Sequence, residues 1–258
     1  MYDPAGKTRV TGQVIVQGLR DLGIGPGALI QVHSSLSALG YVEGGAETVV
    51  DALLEAVAPG GTVMVPTFNH GQADVFDVHT TPSINGAVTE AFRKRPEARR
   101  SVHPTHPYAA IGPLADWLTC EHLDLLTFDV RSPLGKLAAR GGLVVLLGVG
   151  MRANTAAHIG ETIARVPCIG YREHERKILA EDGSIQTAWS VLWRDGPCLL
   201  EWDPLERAMR SEGMIRDGRI GDGEVMVMKA QDVVDTALAL TQTICPRCST
   251  RPHRIDAR

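Results

Sequence analysis

The chain has 258 residues, of which 44% are hydrophobic, and this length and composition can bury the core of one large domain. The net charge of −4 at pH 7 gives no support to nucleic-acid binding. No apolar run approaches the about 20 residues that span a bilayer, and the first residues lack a signal-peptide pattern. We therefore expect a cytoplasmic protein that binds neither nucleic acid nor a membrane.

The cysteines predict reduced thiols, because an odd number in a chain of this length does not form a disulfide framework. They are Cys120, Cys168, Cys198, Cys245 and Cys248. The last two have half of a zinc-knuckle spacing, but no second Cys-x-x-Cys completes it. We expect no metal, a single domain over residues 1–244, and a polar tail over residues 245–258.

Strands and helices alternate along most of the sequence. Short apolar runs closed by glycine or proline predict strands at 28–32, 62–65, 108–112, 143–147 and 223–228. Helical spacing and helix-start signals predict helices at 11–22, 46–58, 86–94, 115–122, 133–140, 204–212 and 230–243.

Residues 172–180 and 185–193, joined by an Asp-Gly turn, predict an antiparallel hairpin. The expected fold class is therefore α/β: a three-layer α/β/α domain with a largely parallel mixed central sheet and a small antiparallel appendage. A small subdomain is expected at about 168–200.

Residues 154–161, Asn-Thr-Ala-Ala-His-Ile-Gly-Glu, follow the most apolar strand and predict the start of a helix. They place His158 and Glu161 at the carboxyl end of a strand, where ligands bind in open α/β sheets. Three residues apart on a helix, the imidazole and the acid share one face and can act on one bound group. The alternative is a histidine that only caps or packs.

Three further segments suit a ligand. Residues 33–37 and 66–70 bring hydroxyls and backbone N–H groups to the ends of two other strands, although each also suits a simple connection. In the loop 71–82, acidic side chains can meet a cationic substrate or form turns. The basic stretch 93–106 suits a phosphorylated cofactor, because guanidinium grips phosphate bidentately, or a solvated helix end.

Four histidines fall in predicted loops at strand ends and suit either metal binding or proton transfer: His33, His103, His106 and His158. A zinc His-Glu-x-x-His pattern, a Gly-x-Ser-x-Gly nucleophile turn and both nucleotide-binding glycine motifs are missing from the sequence. The pattern favours one histidine, paired with a carboxylate, that removes a proton from an attacking group.

Taken together, these motifs resemble the aminoglycoside N3-acetyltransferase family, the antibiotic acetyltransferases that are distinct from the GNAT superfamily. The resemblance covers about 14–240 and is carried by residues 33–40, 66–68, 100–106, 132–137, 146–161 and 218–221. One departure is Pro107, which stands where a serine is expected after the His-Pro-x-His element.

The resemblance implies transfer of an acetyl group from acetyl-coenzyme A to an aminoglycoside, at the 3-amine of the 2-deoxystreptamine ring, which confers resistance. His158 would act as general base in a direct attack, and Glu161 would orient it or bind the substrate. Backbone N–H groups of residues 34–36 would stabilise the oxyanion. A monomer or a homodimer would carry out the reaction, without a metal.

The resemblance also implies two sets of binding residues. The coenzyme A site would contain His33, Ser34, Ser35, Leu36, Thr67, Phe68, Arg100 and Ser101, with Arg100 placed against phosphate. The aminoglycoside would contact Glu161, Asp74, Asp77 and His103. Two alternatives stay open: a coenzyme A-dependent N-acyltransferase of the same fold that acts on another small amine, and a histidine-rich metal-dependent hydrolase.

Overall fold

The computed structural model describes residues 6–123, 125–166, 168–169, 174–190 and 202–245. The strands are β1 (Arg9–Val10), β2 (Leu29–Ser34), β3 (Tyr41–Val42), β4 (Thr62–Pro66), β5 (Arg99–Arg100), β6 (Tyr108–Ile111), β7 (Leu143–Leu147), β8 (His174–Leu179), β9 (Ile185–Ser190), β10 (Arg216–Ile220) and β11 (Gly223–Lys229). The α-helices are α1 (Gly12–Asp21), α2 (Gly45–Val57), α3 (Ala87–Arg93), α4 (Ala115–Thr119), α5 (Pro133–Ala139), α6 (Ala157–Ile163), α7 (Asp203–Ser211) and α8 (Ala230–Ile244). Two short 3₁₀ helices span Leu36–Ala38 and Met151–Ala153.

A seven-stranded sheet with the order β10-β11-β7-β2-β4-β6-β5 organises the molecule. Its centre is parallel, because β2 pairs with both β7 and β4 in that direction. The outer pairings are antiparallel. The predicted mixed sheet is therefore confirmed, with its parallel part in the middle, where the strand–helix–strand unit β2-α2-β4 requires it.

Helices cover both faces of this sheet and give the three predicted layers. Alternate residues of β7 show the division, since Val145 and Leu147 pack with α1, α2 and α3. Val144 and Leu146 face the opposite way and pack with α4 to α8. Such alternation follows from the two-residue period of a strand, and a strand that is buried on both faces is apolar throughout.

A small antiparallel hairpin, β8-β9, forms the predicted appendage. Its inner face packs on the 71–82 loop, where Phe76 and Ile178 share a small apolar cluster with Ala188. The Phe76 N–H donates to Lys177 O at 2.8 Å, and the Leu179 N–H donates to Phe76 O at 2.8 Å. The outer ends of the predicted hairpin, at 172–173 and 191–193, lie outside the described residues.

Two predicted element ends differ from the structure. The strand predicted at 28–32 continues to Ser34, because Ser34 still pairs with Leu147 of β7, so His33 is a strand residue and the prediction of a loop there was wrong. The helix predicted at 115–122 ends at Thr119, since Cys120 has extended backbone angles. Within the described residues, no helix is both long and apolar enough to cross a bilayer.

Four strands of the structure were not predicted from the sequence, namely β1, β3, β5 and β10. The first three have two residues each, too few for a period to show. The fourth has the polar sequence Arg-Asp-Gly-Arg-Ile and lies at the edge of the sheet, where only one neighbouring strand is needed. The cysteines Cys198 and Cys248, and the tail beyond 245, lie outside the described residues.

Candidate active site

The carboxyl ends of β2 and β7 lie side by side and bring two predicted site segments together. The Ser35 N–H donates to Leu147 O at 2.9 Å, so the chain leaving β2 stays bonded to the end of β7. At Gly148 the backbone has φ of +71°, and a Cβ there would lie 2.9 Å from the Ala38 side chain. Glycine at this position therefore permits the close approach of the 34–38 segment to the segment that leads into α6.

The predicted pair of His158 and Glu161 forms on α6. The His158 Nδ1 atom lies 2.6 Å from Glu161 Oε2, one helical turn away. A carboxylate only accepts hydrogen bonds, so Nδ1 is the donor in this contact and Nε2 is the ring nitrogen that can act as a base. The Glu161 side chain is 3% exposed and that of His158 is 16% exposed, which buries the acid behind the imidazole.

Two aromatic side chains from distant segments pack around the His158 ring. Phe128 lies with its ring centroid 5.0 Å away, and Trp202, the residue before α7, lies at 5.4 Å in an edge-on arrangement. Aromatic pairs at these separations attract each other beyond their burial. The imidazole is thus bounded by a carboxylate and two aromatic rings, and the arrangement fixes its orientation.

The structure places His33 inside the protein, on the face of the sheet that α6 covers. Its Nε2 atom lies 2.7 Å from the Gln31 side-chain nitrogen and 3.4 Å from Thr155 Oγ1. Burial lowers the pKa of His33 to about 3, so the ring is neutral at physiological pH. Thr155 also contacts the Tyr108 hydroxyl at 3.5 Å, which joins β2, β6 and the segment before α6 in one polar network.

A cleft of about 660 Å³ opens where the chain leaves β2. Its walls come from the 34–37 segment, from the 40–42 segment and, opposite them, from residues 84–87 at the start of α3. Three of the eight residues predicted to bind the cofactor line it, namely Ser34, Ser35 and Leu36. The other five lie elsewhere: His33 within β2, Thr67 and Phe68 after the end of β4, and Arg100 and Ser101 at the end of β5.

The side chain of Arg100 forms hydrogen bonds with other residues of the protein. Its guanidinium donates to Thr67 Oγ1, Thr67 O, Val78 O and Thr81 O at 3.0, 2.7, 3.2 and 2.6 Å. It also lies over the Phe76 ring, with Cζ 5.0 Å from the centroid. Burial lowers the pKa of Arg100 to about 10, and the group stays charged. Among the described residues, the hydrogen bonds of this side chain all go to the 67–81 part of the chain.

Ser101 and His103 are buried rather than placed at the cleft. The Ser101 hydroxyl accepts from the Tyr108 N–H and bonds with His122 Nδ1, both at 2.9 Å. The His103 Nδ1 atom accepts from the N–H groups of Thr105 and His106. Burial therefore holds the pKa of His103 well below its usual value, and its ring stacks on that of His122.

The two loop aspartates differ in their surroundings. Asp74 is exposed, whereas Asp77 is half-buried and organises a turn. The Asp77 carboxylate accepts from the Thr80 hydroxyl and from the His79 N–H at 2.6 and 2.8 Å. The bond from Thr80 is the largest cause of the lowered pKa of Asp77. Asp77 therefore forms a turn, which was the alternative to substrate binding.

Several residues near the site were not predicted from the sequence. Phe128 and Trp202 reach His158 from segments about 30 and 44 positions away in the sequence, so no local period connects them. Ile84 and Asn85 line the cleft and precede a glycine at the helix start, a turn signal that predicts a loop without indicating a ligand. Gln31 is a polar residue in an apolar strand, and a buried polar residue of this kind indicates a hydrogen-bond partner inside the protein.

Comparison with known proteins identifies the family of this chain. A sequence model of the aminoglycoside 3-N-acetyltransferase family matches residues 31–242. The chain is similar to aminoglycoside N(3)-acetyltransferase VII of Streptomyces paromomycinus, with 33% identity over 89% of this chain and 91% of the relative.

Two solved structures have the same fold. A mutant of the aminoglycoside acetyltransferase AAC(3)-IVa in complex with a gentamicin aligns with a TM-score of 0.81 and 28% identity, over 93% of this chain and 91% of that one. The binary complex of AAC-IIIb with CoASH aligns with a TM-score of 0.82 over 95% and 100% of the two chains, at 24% identity. The chain belongs to the aminoglycoside 3-N-acetyltransferase family.

Proposed function

We propose that this protein transfers the acetyl group of acetyl-coenzyme A to the 3-amino group of the 2-deoxystreptamine ring of aminoglycosides, and so confers resistance to them. The observation that carries the proposal is the 2.6 Å contact between His158 and Glu161, within a chain of this family. That pair supplies the base which an amine acceptor needs, because a protonated amine has no lone pair for attack.

His158 begins the reaction by taking a proton from the acceptor ammonium at Nε2. The amine nitrogen then attacks the thioester carbonyl carbon, and a carbon–nitrogen bond forms as the carbon–sulfur bond breaks. The nitrogen loses a second proton, the sulfur takes one, and the products are an amide and the coenzyme A thiol with one proton released. Direct attack in a ternary complex requires no acyl-enzyme.

The cleft beside β2 is the proposed cofactor site, with Ser34, Ser35 and Leu36 as its contacts from this strand end. A protein of the same fold, AAC-IIIb, is seen with CoASH, which agrees with acetyl-coenzyme A as the donor. The Ser35 N–H is already bonded to Leu147 O. We therefore assign the oxyanion contact to the Leu36 N–H, at the start of a 3₁₀ helix.

Glu161 is proposed as the residue that orients His158. Its burial and its bond to Nδ1 support this role over a direct contact with a solvated ammonium group. Asp74, which is exposed on the 71–82 loop, is the better of the two loop aspartates for attracting a polycation, because Asp77 is used in a turn. The related enzyme AAC(3)-IVa, as a mutant, is seen in complex with a gentamicin, which makes gentamicin the first substrate to test.

A free-thiol release assay with acetyl-coenzyme A tests the proposal, with gentamicin, kanamycin, apramycin and a set of unrelated small amines as acceptors. We expect turnover with at least one aminoglycoside, a monoacetylated product modified at N3 by NMR, and protection of a susceptible host. Turnover confined to other amines would establish the alternative, an N-acyltransferase of the same fold with a different acceptor. Membership of an acetyltransferase family argues against the metal-dependent hydrolase.

A further inference from the structure

Arg100 connects three parts of the chain that meet beside the cleft. From β5 its guanidinium reaches the end of β4 through both oxygens of Thr67, at 2.7 and 3.0 Å. The same group reaches the 71–82 loop through Thr81 O and Val78 O. It also covers the ring of Phe76, the residue by which the hairpin β8-β9 is attached.

Further hydrogen bonds connect the segment that Arg100 holds to the wall of the cleft. The Phe68 N–H, next to Thr67, donates to Asn85 Oδ1 at 2.6 Å, and the Ile84 N–H donates to Phe68 O at 2.9 Å. Both Ile84 and Asn85 line the cleft opposite Ser34 and Ser35. Arg100 is therefore two residues removed from the wall, connected to it through the backbone of Thr67 and Phe68.

A guanidinium suits this connecting position better than any other side chain. Its planar, rigid array of N–H donors can reach several backbone carbonyls at once, which the single ammonium of lysine cannot do in the same geometry. The acids around it are not in contact with it and act at a distance, namely Asp77 and Glu90, and the neighbouring cation Arg93 opposes them. The charge is satisfied by carbonyl dipoles, as a buried charge requires.

We propose that Arg100 is a positioning residue, which sets the place of the 84–87 wall of the cleft by holding Thr67 and the 78–81 backbone, and that it is not a phosphate ligand. Its donors point at protein acceptors, two on Thr67 at the end of β4 and two in the 71–82 loop. Loss of the side chain should release the wall and widen the cleft for every donor substrate, whether or not it carries a phosphate. The proposal rests on the proposed function only in naming that donor.

Two variants separate the positioning role from phosphate binding. Arg100→Lys keeps the positive charge, and Arg100→Met removes it while keeping part of the apolar stem. Arg99→Lys and Arg99→Met are the matched controls, because the adjacent Arg99 is exposed and pairs with Asp116 at the surface. The kinetic substrates are acetyl-coenzyme A and S-acetylpantetheine, which has the same reactive thioester and none of the three phosphate groups.

We expect the KM for both donors to rise by the same factor, about tenfold, in both Arg100 variants, with the kcat at saturation within about threefold of the wild type. Lysine should not rescue the KM, because a point charge does not hold four acceptors. Phosphate binding predicts the opposite: a KM increase for acetyl-coenzyme A alone, with partial rescue by lysine. That result would overturn the proposal.

Hydrogen exchange of the protein without substrate is a second, independent test of the positioning role of Arg100. The Thr81 and Ile84 amides, which donate to Asp77 O and Phe68 O, should exchange about tenfold faster in both Arg100 variants. Amides of α2 serve as the internal reference for global folding, and the Arg99 variants should match the wild type. Unchanged exchange at Thr81 and Ile84 contradicts the positioning role. If the wild type transfers no acetyl group, the proposed function fails while this measurement still decides the role of Arg100.

Discussion

His158 and Glu161 lie one turn apart on α6, with Nδ1 of the imidazole 2.6 Å from a carboxylate oxygen that is almost fully buried. The contact fixes both the tautomer and the orientation of the ring. The proposed mechanism follows from it, because a ring protonated at Nδ1 presents Nε2 as the proton acceptor.

Glu161→Gln should lower kcat by about 10- to 100-fold while changing the KM for gentamicin by less than about threefold. The amide retains the size of the acid and loses the charge that stabilises the imidazolium. Steady-state kinetics by thiol release, with saturating acetyl-coenzyme A, make the measurement. A large KM increase at nearly unchanged kcat would instead assign Glu161 to the binding of a substrate ammonium group.

Trp202→Leu should lower kcat by about 2- to 10-fold, the amount that corresponds to losing one aromatic contact with His158. Trp202→Phe should recover most of the rate, since it keeps a ring beside the imidazole. Trp189→Leu is the control, because Trp189 is 46% exposed on the hairpin. Equal rates for Trp202→Leu and the control would remove Trp202 from the positioning of the base.

Gly160→Ala should destabilise the protein by about 1–3 kcal/mol and reduce activity, because it forces α6 away from α8. A Cβ at Gly160 would lie 2.6 Å from Val234 O and 2.8 Å from the Leu238 N atom, and backbone atoms cannot move aside as a side chain can. Gly150→Ala is the control for stability, since a Cβ there meets nothing within 4 Å. Urea unfolding of both variants decides the matter, and equal stability would show that α6 tolerates the methyl group.

Stability should fall as the pH drops below about 6.5, because buried neutral histidines are protonated only on unfolding. Burial lowers the pKa of both His33 and His122 to about 3. The unfolded state therefore binds protons that the folded state does not between pH 6.5 and about 3, and each group costs about 1.4 kcal/mol per pH unit in that window.

Urea unfolding at pH 7.5 and pH 5.5 measures this effect. We expect His122→Asn to lower the stability at pH 7.5 and to reduce the loss between the two pH values by about 1.4 kcal/mol. An identical loss in His122→Asn and in the wild type would show that His122 does not take part.

The structural features that were predicted correctly depend on residues close together in the sequence. The features that were missed depend on contacts between residues far apart in the sequence. The His158–Glu161 contact is a helical i, i+3 relationship, and β7 is a single apolar run, so both were predictable from local patterns. His33 was placed in a loop because nothing in the sequence shows that Ser34 pairs with Leu147. The acceptors of Arg100 are mainly backbone carbonyls of a segment without a period, so no local sequence pattern indicates these hydrogen bonds.

The measurement that tests the central claim most directly is the kcat of His158→Ala with acetyl-coenzyme A and an aminoglycoside that the wild type turns over. We predict a loss of at least about 100-fold, with the Kd for acetyl-coenzyme A and the unfolding free energy close to those of the wild type. A kcat within about threefold of the wild type would contradict the assignment of His158 as the general base.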